Sequence, residues 1–130
     1  MKTKWLYREL ITGPYIALVL SEKAFYKAMK HCRISKADAG PWINSDSADA
    51  TAHFLEVPGK GQVCIVAIRV KKKTTPDQIV GLLVHESVHI WQKFKRRIGE
   101  HEPSDEFEAY SIQTFSHRLI AAYSEQTVDK

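Results

Sequence analysis

His85-Glu86-Ser87-Val88-His89 stands near the middle of a helix whose two ends are both written in the sequence. Histidines four residues apart lie on one face of an α-helix, so both imidazoles can reach a single ion. Glu86 projects away from that face, close enough to touch a water beside the ion without ligating the ion itself. Upstream, Thr75-Pro76-Asp77-Gln78 offers a threonine N-cap, proline at the first helical position, an acidic first turn and a glutamine that closes a capping box. Downstream, Lys93, Lys95, Arg96 and Arg97 suit the negative pole of the helix, and Gly99 suits the position just past the cap. The spacing predicts a helix over about residues 76–98.

Along that helix Ile79, Leu83, Ile90 and Phe94 line one side, while Val80, Val84, Val88 and Trp91 line another. A helix apolar over so much of its circumference is expected to be central and mostly covered. His85 and His89 share the narrow face that remains with Gly81, Leu82 and Gln92. Buried polar groups need a partner, and one metal ion satisfies both rings at once; hydrogen bonds to backbone are the alternative.

The rest of the chain bounds the setting. At 130 residues it fits a single domain with a real core, and its 44% hydrophobic and 26% charged residues are those of a soluble globular protein. The longest apolar runs, residues 15–20 and 63–70, are strand-sized and too short to span a membrane. Lys2, Lys4 and Arg8 precede an apolar stretch interrupted by Gly13-Pro14 with no small-residue cleavage site, which argues against a signal peptide. Cys32 and Cys64 lack CxxC spacing and read as thiols in a reducing, cytoplasmic compartment. The net charge of +4 gathers at residues 71–73 and 93–97. One cluster follows a strand and the other complements a helix end, without interleaved aromatics, so both read as solvated surface rather than a nucleic-acid interface.

The remaining elements follow from punctuation and period. Gly13-Pro14 opens a short strand over 15–20, and Ser21 caps a helix with Ala24, Phe25, Ala28, Met29 and Cys32 at core spacing. Residues 35–50 read as a long irregular connection around Trp42. Residues 51–57 and 62–70 form a hairpin about Pro58-Gly59-Lys60-Gly61. Ser104 caps a last helix that begins with Asp105 and Glu106 and carries Ile112, Phe115, Leu119 and Ala122 on one stripe. The order strand, helix, hairpin, helix, helix predicts an α+β domain, a small antiparallel or mixed sheet packed on the two long helices.

Catalytic zinc usually has three protein ligands and one open position. Gln92 and Lys95 stand where an extended motif would need glycine and a third histidine, which leaves the segment Asp105-Glu106-Phe107-Glu108-Ala109-Tyr110. Here the chain resembles zincins of the gluzincin type. It is most similar to small phage-encoded zincin-like proteins with the pattern HExVHxWQ…GE…PS…EFEAYxIQ, present as residues 85–92, Gly99-Glu100, Pro103-Ser104 and residues 106–113. The resemblance covers the C-terminal half strongly and the hairpin more loosely. It implies a minimal zincin-like domain with His85, His89 and a glutamate as zinc ligands. Glu106 fits a Glu-x-x-Ala setting through Ala109, and Glu108 has no such match. Two residues apart, they face nearly opposite ways, so one at most can ligate. His101 is a further candidate on a loop.

What the resemblance implies chemically is a zinc peptidase acting on a peptide or protein substrate. Water activated by the ion attacks the carbonyl, and Glu86 acts as general base and then acid. Tyr110 would donate to the oxyanion or orient a histidine, with His117 and Tyr123 as weaker candidates. Residues 63–70 would lie along the cleft and pair with extended substrate. In a phage-encoded protein this would take place in the host cytoplasm. Two other classes stand beside this one: a non-catalytic zinc protein of phage structure or assembly, and a nucleic-acid-associated protein using the basic clusters.

Overall fold

The computed structural model describes residues 13–128; the basic N-terminal residues weighed above as part of a signal sequence lie outside them. The elements are β1 (Tyr15–Val19), α1 (Glu22–His31), α2 (Lys36–Ala39), β2 (Ala50–Val57), β3 (Gly61–Ile68), α3 (Pro76–Arg97) and α4 (Asp105–Thr127). The α+β class is as expected. The one-turn α2, capped by Ser35, lies in the stretch read as irregular, where four residues are too few to show a period.

The sheet runs β1-β3-β2, with β1 parallel and β2 antiparallel to β3. The central β3 is covered on both faces, which is why its sequence is almost continuously apolar. Val63, Ile65 and Ala67 meet Phe25 and Met29 of α1 on one side. Cys64, Val66 and Ile68 meet Ile79, Leu83, Ile90 and Trp91 of α3 and Phe115 and Leu119 of α4 on the other. This corrects the expectation that residues 63–70 border a cleft: both edges of β3 are taken, and β2 is the strand beside the open face of α3.

Each start and stop signal of α3 is used. Thr75 Oγ1 accepts from Gln78 N while Gln78 Oε1 accepts from Thr75 N, closing the capping box. At the far end Gly99 adopts φ 76°, and Gly99 N and Glu100 N donate to the carbonyls of Arg96 and Lys95. That is a Schellman turn, and the left-handed residue in it favours glycine. The expectation of a central, mostly covered helix holds for the Ile79, Leu83, Ile90, Trp91 and Phe94 side but not for two of the valines. Val80 and Val84 are 39% and 38% exposed, because the sheet and α4 cover only two sides of α3. Among the described residues no helix is long and apolar enough to cross a membrane.

Candidate functional site

Helix α3 presents His85 and His89 on its uncovered face, one turn apart. Their Nε2 atoms lie 3.1 Å from each other, with the rings edge to face at 77°. Nδ1 of His89 donates to Gln92 Oε1 at 3.2 Å. With its proton on Nδ1, His89 keeps a lone pair on Nε2, directed at His85. Two bare lone pairs would repel at this distance, so the contact requires something positive between them. The Nε2 proton of His85 serves, and so would a metal ion. Nitrogens each about 2.0–2.1 Å from one zinc at roughly tetrahedral angles stand about 3.1–3.4 Å apart. The pair therefore fits a zinc ion.

The histidines themselves are exposed, contrary to the expectation of buried rings. The buried polar residues are their neighbours. Ser87 is fully covered and donates from Oγ to Leu83 O at 2.7 Å, a bond that satisfies it locally. Glu86 is 5% exposed and has no hydrogen-bond partner among the described residues. Burial pushes its carboxyl above the ordinary range, and the fields of His89 and His85 oppose that rise. Beneath it Cys64 is pushed up to about 12, first by burial and then by the Glu86 charge, so this thiol is inert.

The ring face opens on a cleft between α3 and β2. One lobe, about 450 Å³, is bordered by Asn44, Thr51 and Phe54 on one wall and by His89, Gln92, Lys93 and Arg96 on the other. A second lobe reaches Asp49, Thr74, Gln78 and Gly81, and the two share Ala50, His85 and Glu86. Asn44, Asp49 and Thr51 were missed in the sequence. They come from β2 and the loop before it, and no local spacing links them to residues some 35 positions later. Lys93 and Arg96, expected only as solvated charges at a helix end, border the cleft because they follow His89 by four and seven.

The residues expected from α4 are placed elsewhere. Glu106 is exposed in the first turn and borders neither lobe. Glu108 accepts the indole N–H of Trp91 at 2.8 Å, a bond that ties α4 to α3. Tyr110 is 62% exposed and borders a separate hollow with Phe94 and Phe107. His101, His117 and Tyr123 border neither lobe. Among the described residues no set of three or more His, Cys, Asp or Glu side chains is grouped to hold an ion. The structure thus brings together His85, His89 and Glu86, and leaves Glu106 and Tyr110 apart from them.

Gln92 has a measurable consequence. Gln92→Leu removes the acceptor that fixes the His89 tautomer, and if the pair holds zinc its affinity should fall by about ten- to a hundredfold. Competition titration against a chromogenic chelator reads this directly; an unchanged affinity would mean that Gln92 does not orient the ring.

No family model, no curated protein and no solved structure matches the chain.

Proposed function

We propose that the protein is a zinc-dependent peptidase in which His85 and His89 hold the ion and Glu86 handles the proton. The observation that carries this reading is the pair of Nε2 atoms 3.1 Å apart, one of them held in the ligating tautomer by Gln92. A bound zinc ion would supply a Lewis acid that polarises a carbonyl and makes water acidic enough to react near neutral pH. Glu86 borders both lobes where they meet, and its raised pKa suits a group that accepts a proton from water and returns it to the leaving amine. The outer edge of β2 has no strand partner among the described residues, so an extended peptide can pair with it alongside the histidines.

The Glu-x-x-Ala setting favours Glu106 over Glu108 as the third ligand, yet Glu106 borders neither lobe beside the histidines. Zinc content of protein purified without added metal tests the whole reading. One ion per chain is expected, lost in His85→Ala and in His89→Ala; zinc kept by both variants would overturn the site. Glu106→Gln should weaken zinc by at least about tenfold if Glu106 ligates. An unchanged affinity would mean that the two histidines act without it. Zinc held with no hydrolysis of any peptide would make the protein a non-catalytic zinc protein instead.

A further inference from the structure

The cleft is asymmetric in charge. Its second lobe ends at Asp49, whose carboxylate is paired with Lys71 at 2.8 Å. The first lobe ends at Lys93 and Arg96, both exposed and neither in an ion pair among the described residues. The nearest acid on β2, Glu56, is already engaged by Arg97. Lys93 Nζ rests 5.7 Å from the Phe54 ring centroid, so the exposed ammonium leans over the β2 wall of the lobe. Of the residues bordering this lobe only Glu86 is acidic, and it is buried at the opposite end from the cations.

We propose that Lys93 and Arg96 form a carboxylate-binding subsite that gives the cleft a preference for acidic peptides. The inference rests on the peptidase reading for the identity of the ligand as a peptide. The helix fixes the spacing: Lys93 is about 6 Å and Arg96 about 10 Å along the axis from His89. An extended chain advances about 3.3 Å per residue, so the bound carboxylate lies two or three residues from the bond facing the histidines. A basic helix end alone would explain the charges through the helix dipole. Helix spacing puts these two, four and seven residues after His89, on the border of the histidine cleft, while Arg97 turns aside to Glu56. The carboxylate can be an Asp or Glu side chain or the peptide's own C-terminus.

Binding, not turnover, provides the test. Alanine-based octapeptides carrying a neutral dye would bear Glu, Ala or Lys at successive positions, with a free or amidated C-terminus. Fluorescence anisotropy would measure them on the Glu86→Gln protein, with zinc and with chelator, at low salt. Peptides with a carboxylate should bind on the order of tenfold tighter than their Lys counterparts, less so as salt rises. The preference should vanish in Lys93→Gln/Arg96→Gln and reverse towards Lys peptides in Lys93→Glu/Arg96→Glu, which a merely structural role would not produce. A preference that follows the free C-terminus and not side-chain position would assign the subsite to the terminal carboxylate. Equal binding of acidic and basic peptides, a preference kept by the double variants, or no peptide binding at all would overturn the proposal. An acidic preference in protein that neither holds zinc nor cleaves would keep the subsite and reject the peptidase.

Discussion

Glu86→Gln should keep zinc at the wild-type stoichiometry and lower peptide hydrolysis by about two to four orders of magnitude, the usual contribution of a positioned general base. The side chain changes by one polar atom, and its neighbours His85 and His89 are untouched, so metal binding and chemistry separate in one variant. Loss of zinc would make Glu86 a ligand; unchanged turnover would remove it from the reaction. A stability measurement on chelator-treated protein gives an independent reading. Glu86 has a raised pKa in the fold, so the fold favours its protonated form. The stability tied to that form is complete below the ordinary value of 4.5 and is lost as pH rises through the raised value. Glutamine resembles the protonated acid at every pH. The variant should therefore melt higher than wild type near neutrality, and the gap should close towards pH 4. Equal melting temperatures across that range would mean that Glu86 is not desolvated.

Which parts of this were legible beforehand follows from the range of the forces involved. Thr75, Gln78, Gly99, Ser21 and Ser104 act within one helical turn, and each cap lies where its spacing placed it. The pairing of His85 with His89 is local in the same way. The partners of α3 are not. Whether Val80 and Val84 are covered depends on how many elements reach α3, and periodicity cannot count them. The expectation that residues 63–70 lie along a cleft comes from the resemblance alone, and the parallel pairing of β1 closes that edge. Glu106 and Glu108 differ by two positions on one helix. Only the packing of α4 against α3 decides which of them turns towards Trp91.

Trp91→Ala should be the most destabilising single change in the described region. The indole is 1% exposed and stands edge to face with Phe107 at 5.3 Å and 84°. Removing a buried tryptophan of this kind costs about 3–5 kcal/mol, out of a total of about 5–15 kcal/mol for a domain. Thermal or urea unfolding should show a chain near the limit of folding. The milder Trp91→Phe keeps most of the packing and strips the donor from Glu108, for a loss of about 1–3 kcal/mol. Glu108→Gln should also lower stability, because a charge-assisted acceptor becomes a neutral one, yet leave zinc affinity unchanged. Since one hydrogen bond links the two residues, the double variant Trp91→Phe/Glu108→Gln should lose less than the sum of the single losses. Additive losses would mean that the bond contributes nothing. Weakened zinc in Glu108→Gln would place that carboxylate at the metal and make the contact with Trp91 secondary, because a side chain held 2.8 Å from the indole nitrogen on the α4 side of α3 cannot also complete the site on its open face.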